Sequence, residues 1–105
     1  MSISPKQAKD LLEFLERVYE RPTVYLGPEL KGVSHFLWGI RGLCFALFEI
    51  SINQEIHKHI LEERGWNYSA VAPLREMEER NLSDSDIAKE LLAIEISVWK
   101  RQLGV

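Results

Sequence analysis

Cysteine is almost missing from this chain of 105 residues, and the single Cys44 excludes an internal disulfide. Lying in an apolar run, Cys44 reads as a small core residue in a reducing compartment. Residues 1–21 carry evenly spread charge and no apolar run, so no secretory signal is legible and a cytoplasmic location is expected. Clustered Lys and Arg are also missing. The net charge is −3, and the span from Glu62 to Glu90 sets eight acids against four bases. Non-specific nucleic-acid binding needs the opposite clustering, so no nucleic-acid partner is expected.

Neither GxxxxGK[ST] nor GxGxxG occurs, which removes the common phosphate cradles, and GxSxG is absent too. Cys44 falls on an expected core face and the glutamates on expected solvent faces, so no enzyme and no cofactor are expected. No segment alternates convincingly with period two, and no repeat or low-complexity tract interrupts the chain. One long apolar run, Val33 to Ile52, has the length of a membrane span. It carries His35, Arg41 and Glu49, and a mid-span arginine is costly in lipid. A buried helix is expected there, with no membrane partner.

What is present is helical pattern. With 46% hydrophobic and 28% charged residues, the chain suits one globular domain over residues 1–105. Ser4 and Pro5 start a first helix, and Ala8, Leu11, Leu12, Leu15, Val18 and Tyr19 follow one helical face. Pro22 disfavours a helical Arg21, so this helix ends near Glu20. A second helix starts after Ser34. Phe36, Leu37, Ile40, Leu43, Cys44, Leu47 and Phe48 form a broad apolar face, with Trp38, Phe45 and Ile52 on the other side. A helix apolar nearly all round is a central one. Its Gly39, Gly42 and Ala46 point to close packing of a neighbouring backbone, since glycine costs a helix about 1 kcal/mol against alanine.

Asn53 caps a third helix that Gly65 ends, or this segment continues the second helix with a bend. "GWNYSAVAP" reads as a loop with Trp66 and Tyr68 folded against the core. A short helix from Pro73 to Arg80 turns Leu74 and Met77 inward. Ser83 caps the last helix, with Asp86 three positions on and Leu82 and Ile87 as a hydrophobic staple, and Gly104 closes it. The expected fold is an all-α single-domain bundle of four to five helices with antiparallel neighbours.

Arg41 and Glu95 are lone charges in two apolar helices. They pair in or near the core, or each reaches solvent at a helix edge; Glu49 is the other acid within reach of Arg41. "HKH" places His57 and His59 about 200° apart on a helix, which is wrong for a shared ion, so no metal is expected. The acids of 62–90 form either a solvated face or a docking surface for a basic partner. In the second case Glu62, Glu63, Glu76, Glu78, Glu79, Asp84 and Asp86, with Trp66 and Tyr68 beside them, are the expected contacts.

The stretch "ERPTVYLGPE", Glu20 to Glu29, reads as a rigid corner. Pro22 and Pro28 stiffen it, Gly27 permits a positive φ, and Val24, Tyr25 and Leu26 plug the end of the bundle, with two turns of strand at most. Its "RPTVYLG" is similar to an Arg-Pro-x-Met-Tyr-x-Gly string in the ATPase region of type II topoisomerases. The acidic metal-binding helix and glycine-rich lid of that region are absent here. Over most of its length the chain resembles a group of small bacterial helical proteins. Arg21, Pro22, Tyr25, Leu26 and Gly27 match their turn, Phe36, Leu37 and Gly39 their next helix, then Trp66 and "LSDSDIAKELL" follow. Some such small acidic proteins are immunity proteins of contact-dependent inhibition and related polymorphic toxin systems. The resemblance implies a protein that binds and occludes a cognate toxin with a basic surface, such as a nuclease. The alternative is a homo-oligomeric helical module without catalysis, marked by exposed Phe14, Trp38 or Phe45.

Overall fold

The structure is a computed structural model that describes residues 3–67 and 72–105. The described residues form six helices and no strand: α1 Pro5–Glu20, α2 Pro22–Leu26, α3 Leu30–Phe48, α4 Gln54–Glu63, α5 Ala72–Glu79 and α6 Asp84–Leu103. The fold is all-α as expected, with one helix more than the four to five the pattern called for. The extra one is α2, formed by the Pro-Thr-Val-Tyr-Leu segment that reads as a corner or a scrap of strand.

Local chemistry sets the helix ends. The Ser4 hydroxyl accepts from the Gln7 backbone N–H at 3.1 Å, and the Gln7 side chain accepts from the Ser4 N–H at 2.9 Å. Two orphan donors at the start of α1 are thereby satisfied. Arg21 leaves helical geometry ahead of Pro22, at φ −139° and ψ 64°. Asn53 Oδ1 caps α4 by accepting from the N–H groups of Glu55 at 2.9 Å and Ile56 at 3.1 Å. Glu49 ends α3 in the left-handed region at φ 57°, so α3 and α4 are separate helices. Gln102 of α6 ties their connection down. It accepts from the Asn53 N–H at 2.8 Å and donates to the Ser51 carbonyl at 2.6 Å.

The centre of the molecule is α6, against which α1, α3, α4 and α5 all pack. Ile87, Ala88, Leu92, Ile94, Glu95, Ile96, Val98 and Trp99 are buried, spread round its circumference. Leu12, Leu15 and Cys44 join its one side, and Val18, Val33 and Leu37 its other. The expectation that the 34–52 run is the central helix is therefore corrected. α3 lies at the edge and buries only Val33, Leu37 and Cys44. Leu43 and Leu47, expected inside, are exposed, as are Trp38 and Phe45.

Two further readings change for the same reason. Val24 and Tyr25 do not plug the bundle but stand exposed on α2. Gly39 and Gly42 do not admit a neighbouring backbone of this chain, since a Cβ on either would meet nothing within 4 Å. The glycine that does so is Gly32, where a Cβ would lie 2.3 Å from the Leu26 carbonyl oxygen. Backbone oxygen cannot swing aside, so Gly32→Ala is expected to displace α2 from α3. The cost is about 1–3 kcal/mol, the range of an overpacked contact, read as a lowered urea midpoint with an unchanged slope.

Candidate functional site

An outward apolar face on α3 is the most distinctive surface among the described residues. Trp38 is 80% exposed, Phe45 61%, Leu43 56% and Leu47 53%. At 100° per residue the small residues Gly39, Gly42 and Ala46 run along the middle of this face, with Trp38 and Phe45 on one edge and Leu43 and Leu47 on the other. Phe36, farther up the helix, stacks at a tilt on Phe14 with ring centres 5.9 Å apart, and Phe14 meets Tyr25 edge-on at 6.4 Å. Four large apolar side chains this exposed on one helix exceed the scattered single residues of an ordinary surface.

Beneath α3 a part-buried ion pair, with Glu95 enclosed and Arg41 half-exposed, helps to fix its rotation. Arg41 donates through Nε to Glu95 Oε2 at 3.1 Å and through its second terminal nitrogen to Glu95 Oε1 at 2.6 Å. Trp99 Nε1 donates to Glu95 Oε2 at 3.0 Å. Of the two outcomes left open for Arg41 and Glu95, the pair forms. His57 of α4 sits near it, and burial first, then the Arg41 guanidinium, hold its pKa below the ordinary imidazole value. Burial likewise raises the Cys44 thiol, which keeps it protonated and a poor nucleophile. Among the described residues no buried side-chain nitrogen or oxygen lacks a hydrogen-bond partner.

The acids of 62–90 are divided. Glu63 takes a bidentate contact from Arg101 at 2.8 and 2.9 Å. Glu76 pairs with Arg80 and accepts from the Asn67 N–H at 2.9 Å, and Glu79 lies 3.3 Å from Arg75. Glu90 receives Arg64 at 2.7 and 2.8 Å and the Trp66 indole N–H at 2.8 Å. Glu62, Glu78, Asp84 and Asp86 are exposed, and no ion pair among the described residues engages them. Trp66 is buried beneath Arg80, whose guanidinium carbon lies 4.5 Å from the ring centre. It belongs to the core cluster and is not a surface anchor. Tyr68, the other expected aromatic contact, lies outside the described residues. Glu63, Trp66 and Asp86 do come together, with Arg64, Lys89 and Glu90, around an open groove of about 650 Å³.

Arg64 above all, and the Trp66 indole after it, hold the Glu90 carboxyl below the usual carboxylate range against the opposing effect of burial. A carboxyl that titrates lower in the folded state contributes stability above its unfolded pKa and loses it as pH falls through the lowered value. Glu90→Gln is therefore expected to be less stable than the parent at pH 7, by about 1 kcal/mol. That gap should close in acid. Urea midpoints at both pH values test it, and a gap that persists at low pH would refute the role assigned to the Glu90 charge.

His57 is half-buried and His59 exposed, and no group of three His, Cys, Asp or Glu side chains among the described residues is placed to hold a metal ion. No described helix is long and apolar enough to cross a membrane. Comparison of the chain with protein-family models, curated proteins and solved structures finds no match. The site therefore rests on its own geometry. Trp38 and Phe45 of this face are the exposed aromatics that the homo-oligomer alternative names, whereas Leu43 and Leu47 were expected inside and are what the sequence reading missed. The signal of the face was present as glycines in a helix with large apolar residues three and four positions away.

Proposed function

We propose that the chain is a non-catalytic protein-binding module that meets its partner through the outward face of α3. One observation carries this reading: four large apolar side chains flank a floor of small residues that nothing among the described residues covers. Burying them releases water, and each transferred Å² contributes about 25 cal/mol. The ion pair beneath supports the reading, because Arg41 and Glu95 are spent on each other and hold α3 in place. The module would work in the cytoplasm, where a lone thiol stays reduced.

A second reading has its own observation. Glu62, Glu78, Asp84 and Asp86 remain as surface charge after the other acids are neutralised within the chain. They suit a basic partner, as the likeness to immunity proteins implies, and stoichiometric occlusion of a toxin would follow from steered, salt-sensitive encounter. Affinity capture with three baits separates the two. A partner lost on Trp38→Ser/Phe45→Ser but retained at high salt supports the α3 face. A partner lost at high salt and on Glu62→Lys/Glu78→Lys, yet kept by the α3 variant, supports toxin occlusion. Capture unchanged by the α3 substitutions rejects the first reading.

A further inference from the structure

The outward face of α3 is self-complementary. Lys31, His35, Trp38, Gly42, Phe45 and Glu49 follow one another at alternating spacings of four and three residues, the spacing of a coiled-coil seam. All six are exposed, and they run from the first turn of the 19-residue α3, roughly 28 Å long, to its C-cap Glu49. Laid antiparallel on its own copy about a two-fold axis level with Ile40, the seam matches itself. Trp38 falls on Gly42 of the other copy, Phe45 on His35, and Lys31 on Glu49. The largest side chain meets an empty position, and the cation at the helix start meets the acid at the helix end.

We propose that α3 is the contact of a homodimer in which two copies pair antiparallel about this axis. The inference rests on the reading of α3 as a protein-binding surface and names the partner. The apolar part of the seam is modest. With full side-chain areas on the order of 200 Å², the exposed fractions of Trp38 and Phe45 amount to roughly 300 Å² per copy. Leu43 and Leu47 point away from the seam and stay outside the contact, so with Gly42, Lys31, His35 and Glu49 added the interface is smaller than the standard of about 800 Å² per copy and suits a concentration-dependent dimer. Symmetry supports the pairing, because an isologous contact requires one patch that complements itself. The glycines gain a reason: a backbone does approach Gly39 and Gly42, but it belongs to the second copy. Lys31 also lies 3.1 Å from Glu29 of its own chain and Glu49 is itself engaged, so their pairing replaces existing contacts rather than joining two free charges.

The test is sedimentation velocity of the purified full chain over a concentration series, with acrylamide quenching alongside. Trp66 and Trp99 are buried, so Trp38 is the tryptophan that quencher reaches in the monomer. The expected result is a dimer whose formation shields Trp38 as concentration rises. Trp38→Ser is expected to weaken association roughly 100-fold, the effect of a central aromatic anchor. Gly42→Leu, a better helix former, fills the position that receives Trp38 and should give a well-folded monomer.

The register has its own readout. Lys31→Glu or Glu49→Lys alone should weaken the dimer roughly three- to tenfold, and the double exchange should restore it. A chain that stays monomeric at every concentration overturns the proposal. If Trp38→Ser/Phe45→Ser bait then still loses its captured partner, the docking surface stands and only the second copy falls; if capture is unchanged, both fall. A dimer that survives Gly42→Leu and ignores the charge exchange uses another face and also overturns it. So does a monomer whose tryptophan emission shifts blue on phosphatidylcholine vesicles, which would assign the face to a lipid surface.

Discussion

Arg41→Met is expected to destabilise the fold by roughly 3–5 kcal/mol, the cost of stranding a buried charge. Glu95 is 1% exposed, and it accepts two of its three hydrogen bonds from Arg41. Without the guanidinium its carboxylate keeps only the Trp99 indole. The reverse change should hurt less. The Arg41 side chain is 40% exposed, so after Glu95→Leu the guanidinium turns into water. What remains is the loss of a partner for the Trp99 N–H, about 1–3 kcal/mol. The double change Arg41→Met/Glu95→Leu removes both charges and should be more stable than Arg41→Met alone. Urea denaturation of the four proteins gives the coupling directly, expected to be on the order of 2 kcal/mol. Additive effects would mean that the pair does not hold α3 to α6. The consequence reaches function, because this pair is what turns Trp38 and Phe45 outward. Loosening it should blunt the α3 surface without touching it.

Leu92→Ala and Leu43→Ala should differ sharply although both remove the same atoms from an apolar helix. Leu92 is fully buried in α6 among residues of α1 and α3, so truncation leaves a cavity and costs about 2–5 kcal/mol. Leu43 stands on the outward face of α3, and in dilute protein its truncation should stay within about 0.5 kcal/mol. Thermal midpoints measure both. For a chain of this size each kcal/mol shifts the midpoint by about 4–8 °C, so the Leu92 variant should melt well below the parent and the Leu43 variant beside it. Equal losses would restore α3 to the centre of the bundle and remove the surface on which the proposed function depends.

That contrast marks where sequence reasoning reached its limit. Hydrophobic periodicity says that α3 and α6 both want burial. It also ranks them wrongly, because α3 is the more uniformly apolar of the two, while α6 carries Lys89, Glu90 and Glu95. Glu95 is buried only because Arg41 reaches it from a residue 54 positions away. The acids behaved alike. Glu63 is matched by Arg101 and Glu90 by Arg64, partners that lie 38 and 26 positions off. A count of charges between residues 62 and 90 leaves out Arg101 and, though it includes Arg64, does not say which acid Arg64 meets.

By itself the sequence determined the all-α class and most helix limits: Ser4 and Pro22 around α1, Asn53 before α4, Ser83 and Gly104 around α6. Those limits depend on hydrogen bonds and backbone angles spanning three or four residues, so their causes lie side by side in the chain. The tertiary structure alone decided that the five residues of α2 are helical, which packing rather than propensity must stabilise. It also decided which apolar helix is enclosed and which keeps a face open. Enclosure depends on how many neighbours surround a helix, and that number is a property of the packed molecule rather than of any segment.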